Sequence, residues 1–214
     1  MRLLIFILLF LFLNATAQED SVLKIHFLYG SKPKRGYKKT ECRVFGGLHG
    51  GHVTVEIDNV DYGFGPNAKF HVFAHRHNHH GSWGSSVTFG RPLYSNEDKV
   101  TTVYIPVTPE QKKEILALLR GYIANPKSPY DYAFFGMRCG AATHDVLGEA
   151  DILKNRKRHA YAWYSFYPKK LRRRLYRHAC SRHWKIETHA GKPSRKWEKD
   201  GWRMRSNMKY SCLK

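Results

Sequence analysis

Apolar residues recur along this chain in three rhythms, and each predicts a different element. A nearly unbroken apolar block fills positions 3–13. Period-two alternation marks residues 22–29 (VLKIHFLY) and 52–58 (HVTVEID) as strands. In the second, Val53, Val55 and Ile57 point one way and His52, Thr54 and Glu56 the other, so one face is core and the other begins with a histidine. Residues 61–64, 69–74 and 86–89 read as further short strands, and 100–107 (VTTVYIPV) as the strongest late one. The third rhythm is helical. Thr108-Pro109-Glu110-Gln111 supplies an N-cap, a proline at the first helical position and a capping-box glutamine. The stripe Ile115, Leu118, Leu119, Tyr122, Ile123 carries that helix to about Asn125. A second helix starts near Cys139, with Ala142, Thr143, Val146 and Ala150 on the cysteine's face. A third runs from Tyr167-Pro168 to about Ala179, its narrow apolar side made by Leu171 and Leu175. The expected fold is α+β, an antiparallel sheet packed on helices.

Charge and cysteine usage change this picture. Positions 3–13 follow Arg2 and precede Asn14-Ala15-Thr16-Ala17, which together read as a secretion signal cleaved near Ala17. The block is shorter than the roughly 20 residues of a membrane span, so the expected mature chain is secreted or periplasmic with no transmembrane segment. Of the net charge of +20, residues 154–214 carry +17, with 20 Lys and Arg against Glu187, Glu198 and Asp200. The expected organisation is a signal at 1–17, an α+β domain at 18–153 and a basic, aromatic-rich extension at 154–214 packed on the same domain. Export permits disulfides. Cys42, Cys139, Cys180 and Cys212 allow three complete pairings, of which Cys180 with Cys212 is preferred because both lie in the tail.

Cys139 at a helix N-terminus meets unpaired N–H groups and the positive end of the helix dipole, which favour a thiolate and could also stabilise an oxyanion. His52, opening a strand on its non-core face, is a candidate base and acid. The segments Gly50-Gly51-His52-Val53-Thr54-Val55-Glu56-Ile57 and Met137-Arg138-Cys139-Gly140-Ala141-Ala142-Thr143-His144-Asp145-Val146-Leu147 resemble those of the circularly permuted papain-like hydrolases, which include permuted NlpC-type peptidases and relatives of lecithin retinol acyltransferase. In that group the histidine strand precedes the cysteine helix, as here. The resemblance covers about residues 46–153. It implies Cys139 as nucleophile, His52 as general base and a third polar residue to orient the imidazole. Glu56 lies four residues along the strand, roughly 13 Å away at strand rise, so the third residue is sought on the neighbouring strand. A turn at Asn59-Val60 sets Asn67 opposite His52; a bulge near Gly65-Pro66 brings in His71 instead. His71 is preferred over Asn67. Phe64 stands where the acyltransferase branch carries a histidine.

The tract His75-Arg76-His77-Asn78-His79-His80 has no ordered metal-ligand spacing and reads as a solvated loop, so no metal is expected. Arg156, Lys157, Arg158, Lys169, Lys170, Arg172, Arg173, Arg174 and Arg177, interleaved with aromatics, are candidate polyanion ligands. Export disfavours a specific nucleic acid as partner; an anionic lipid, glycolipid or wall polymer of the envelope fits better. No phosphate-binding loop, dinucleotide fingerprint or zinc motif occurs, so no cofactor is expected. The expected function is hydrolysis or acyl transfer at amide or ester bonds, with cell-wall peptide amides ahead of lipid acyl bonds. The alternative is a non-enzymatic envelope protein that binds polyanions.

Overall fold

The computed structural model describes residues 21–29, 51–67, 71–74, 80–88, 90, 99–125 and 130–189. The strands are β1 (Ser21–Tyr29), β2 (Gly51–Ile57), β3 (Val60–Pro66), β4 (His71–Phe73), β5 (Gly81–Ser85), β6 (Val100–Val107), β7 (Ala133–Phe135) and β8 (Ile186–His189). The helices are α1 (Pro109–Ala124), α2 (Cys139–Glu149), α3 (Arg158–Tyr164) and α4 (Pro168–Arg182). A six-stranded antiparallel sheet runs β5-β3-β2-β1-β6-β8, and β4 pairs with β7 in a parallel ribbon. The α+β class with a mostly antiparallel sheet is therefore present.

The alternation along β1, β2 and β6 sorts the two faces of the sheet. Leu23, Ile25, Phe27, Val53, Val55, Ile57, Val103 and Ile105 form the core face, on which α1, α2 and α4 pack. The opposite face carries a polar ladder. His26 meets Thr102 Oγ1 through Nδ1 at 2.8 Å and Glu56 Oε2 through Nε2 at 2.8 Å. Lys24 donates to the other Glu56 oxygen, and Thr54 Oγ1 donates to Asp61 Oδ1 at 3.4 Å.

The capping box at Thr108 and Gln111 is formed, and Ile115 and Leu119 are the buried stripe of α1. Helix α2 departs from its expected single face: every residue from Cys139 to Gly148 is buried. It is enclosed by the sheet and by α1, α3 and α4, and a helix surrounded on all sides does not need an amphipathic stripe. Residues 86–88 form a turn, not a strand. Thr88 Oγ1 accepts from Ser85 N–H at 2.7 Å and donates to Ser85 O at 2.9 Å, closing the chain just after β5. The basic segment is built into the core as far as residue 189: Tyr161, Leu171, Leu175, Ala179 and Trp184 join the main cluster, and β8 extends the sheet beside β6. Cys180 is disulfide-bonded, while Cys42 and Cys212, like the signal at 1–17 and His75–His79, lie outside the described residues. Among the described residues no helix is long and apolar enough to cross a membrane.

Candidate functional site

Cys139 is the first residue of α2 and is 3 % exposed, a free thiol. Two features of the sequence fix its surroundings. Arg138 stands at the N-cap in extended conformation and makes no side-chain cap bond, so the first N–H groups of the helix are left for other acceptors. The β2–β3 ladder runs from Ile57↔Val60 to Thr54↔Gly63, and just beyond its end the amide of Val53 points to the same sulfur, as do those of Gly140 and Cys139 itself. The Val53 nitrogen is bonded to the carbonyl carbon of His52. The thiol thus lies against the His52–Val53 peptide, and the two motifs distant in sequence meet here.

The electrostatics differ from the thiolate expected at a helix N-terminus. Burial pushes the Cys139 thiol up, outweighing the Arg138 charge and the three amides that pull it down. Burial also lowers His52 to about 4. Both groups are neutral at pH 7, and the dipole of an 11-residue helix does not overcome desolvation of the sulfur. Arg138, whose role the sequence did not single out, sits among the rings of Phe134, Phe166 and Tyr167 at 5.5, 5.2 and 5.8 Å. The only sequence signal for it was a cation directly before the cysteine.

The turn of the β2–β3 hairpin is Asp58-Asn59, with φ of 51° and 61°, not Asn59-Val60. Continued past its last pair, this register sets Gly65 across from His52. Asn67 therefore does not lie opposite His52; its N–H donates to His80 O at 2.9 Å. His71 lies on β4, paired with Ala133 of β7, its ring stacked on His80 at 4.4 Å. Phe64 is fully buried among Trp83, Tyr130 and Tyr132, with centroids 5.7, 5.0 and 5.5 Å away. Gly81 makes room for it, since a Cβ there would stand 2.3 Å from the Phe64 ring.

Two hollows flank this region. A mainly apolar cavity of about 330 Å³ is lined by Tyr130, Phe135, Met137, Phe166 and Trp163 together with the polar Asp131, Arg158 and His159. A cleft of about 350 Å³ is lined by Trp163, Tyr164, Lys170, Arg173, Arg174 and Arg177. Of the nine candidate polyanion ligands, the cleft collects four. Arg156 reaches it by stacking on Tyr164 at 3.8 Å. Arg172 is fully buried and does not face solvent. Arg158 lies 3.7 Å from the buried carboxylate of Asp145.

Asp145 is raised to about 6 by burial, and His144 beside it is lowered to about 4 by burial and by Arg174, Arg156 and His178. Among the described residues the ligand atoms of His26, Glu56 and Asp61 lie within 4.8 Å of one another, the only such group. The Lys24 ammonium already pairs with Glu56, and the trio reads as part of the polar ladder of the sheet. Compared with family models, with curated proteins and with solved structures, the chain matches none.

Proposed function

We propose that the protein is an exported cysteine-nucleophile hydrolase or acyltransferase acting on amide or ester bonds, with cell-wall peptide amides as the leading substrate class. The observation that supports this reading is the convergence of three backbone N–H groups on the Cys139 sulfur beside the His52 peptide. In the proposed reaction Sγ attacks a carbonyl carbon while His52 takes the thiol proton. The amides that face sulfur would then face the adjoining oxyanion. His52 returns the proton to the leaving amine or alcohol, and water or another acceptor releases the acyl group from sulfur. His71 is retained in the proposal as a positioning residue at the β4–β7 ribbon.

The test uses the chain lacking residues 1–17 and an activated ester such as p-nitrophenyl butyrate, followed by wall-peptide amides. The expected result is a stoichiometric burst of p-nitrophenolate and an acyl mass on the peptide containing Cys139. His52→Gln should lower the burst rate on the order of 10²-fold or more, the usual share of a general base. A burst of undiminished size in Cys139→Ala would end the proposal.

A second reading, that the basic segment holds an anionic envelope polymer or lipid, is favoured by the gathering of Lys170, Arg173, Arg174 and Arg177 around one cleft. Its test is vesicle or wall-fragment binding that weakens steeply with salt.

A further inference from the structure

Helix α4 carries Lys170, Arg173, Arg174 and Arg177 at intervals of three and four, one continuous stripe on the side away from Leu171, Leu175 and Ala179. Like charges at these intervals destabilise a helix. Two have a local reason to be there. Lys170 Nζ donates to Trp163 O at 3.1 Å and Arg174 Nε to Tyr164 O at 3.3 Å, covering carbonyls at the end of α3. Arg173 and Arg177 have no such duty among the contacts described. Among the described residues Arg173 Nε is buried without a hydrogen-bond partner. None of the described residues that line the cleft is a carboxylate, and Arg156 approaches from α3's N-terminal side onto Tyr164. Burial and the charges of Arg156 and Arg177 all bear on Arg174 in the direction that disfavours its cation.

The cleft therefore gathers four cations around a buried guanidinium donor, the chemistry that recognises an anion. We infer that the cleft between α3 and α4 binds a phosphate-monoester dianion, with Arg173 and Arg177 as its principal ligands and Lys170 and Arg174 completing the cradle. Guanidinium forks match phosphate oxygens two at a time, and a dianion offsets more of the mutual repulsion than a diester's single charge. This inference deepens the polyanion-binding reading and is independent of chemistry at Cys139.

The experiment is calorimetric titration of the chain lacking residues 1–17 with glycerol 3-phosphate, ionic strength held constant with chloride. Arg173→Gln/Arg177→Gln is compared with Lys113→Gln/Lys154→Gln, which removes the same charge from exposed positions outside the cleft; Arg177→Gln alone serves should the first fold poorly. The cleft variants should lose at least tenfold in affinity and the control less than twofold. Equal losses in the two doubles, or glycerol 3-phosphate held no better than chloride, would overturn the site. Phosphatidate and phosphatidylglycerol vesicles identify the source of the group. Preference for phosphatidate over both the soluble ester and phosphatidylglycerol supports a lipid headgroup, and preference for the soluble ester supports a free phosphate. Vesicles that bind at low salt while both doubles lose equally defeat the site but leave the polyanion reading standing. Absence of all anion binding at low salt defeats both.

Discussion

Three titratable side chains, His52, His144 and Asp145, set the behaviour of the site with pH. For His52 and His144 the folded value falls to about 4, below the unfolded one of about 6.5. The unfolded chain then binds more protons between those values, so their contribution to stability is present above 6.5 and is lost as pH falls through 4. Asp145 has the opposite sign. Its folded value of about 6 lies above the unfolded one, so its contribution is present below about 4 and lost as pH rises through 6. Ionised, that carboxylate weakens the fold by about 2–3 kcal/mol. Asp145→Asn should therefore stabilise the protein at pH 8 and leave pH 4 nearly unchanged, as read from urea melts at both. For catalysis, the kcat/KM profile of the proposed reaction should show an acid limb near 4 from His52 and an alkaline limb beyond the range of an ordinary thiol, because burial raises Cys139. An alkaline limb below the ordinary thiol range would show that the two groups titrate as an ion pair. The places of Cys139 at the head of a helix and of His52 near the start of a strand were legible in the sequence. The neutral state of each group was not, because desolvation depends on what packs over it, here α2 enclosed on all sides.

Elements whose determinants are local could be read in the chain. Strand β6 and helix α1 carry their own alternation and cap, and both stand where the sequence places them. The hairpin shows where local reading stops. Its turn was placed one residue late, and a shift of one in the turn moves every cross-strand partner by two, which removed Asn67 as a neighbour of His52. Asp58 and Asn59 both have positive φ, the geometry of a two-residue turn that favours glycine at its second position. Asn59→Gly should stabilise the fold by up to about 1 kcal/mol, measurable in the denaturation midpoint, whereas Asn59→Val should destabilise it. The junction of α2 with α3 and α4 is the tighter constraint. A Cβ on Gly140 would stand 2.9 Å from Ser165 O and 3.4 Å from the Pro168 nitrogen, both backbone atoms. Gly140→Ala should cost about 1–3 kcal/mol and, by shifting the first turn of α2, slow acylation of Cys139 more than it changes KM. Helix α3 escaped the sequence reading because seven residues give too little periodicity; β8 escaped because its pairing with β6 is set by tertiary contact.

At the scale of the molecule, residues 154–189 of the basic segment form a wall of the fold, with apolar residues in the common core and the cations Lys170, Arg173, Arg174 and Arg177 on the outer side of α4. Charge counting could find the segment but not its division into a buried Arg172, an Asp145-linked Arg158 and a cleft stripe, since that division follows helix phase and neighbours. One residue of this wall, Trp163, is 67 % exposed and borders both the apolar cavity and the cationic cleft. A side chain shared by two hollows couples their occupants. If an apolar guest fixes the indole in the rotamer that the anion also requires, each ligand raises the other's affinity by the same factor, since linkage is reciprocal. Trp163→Ala would then uncouple the two equilibria without removing a single cation, turning a cooperative pair of sites into two independent ones.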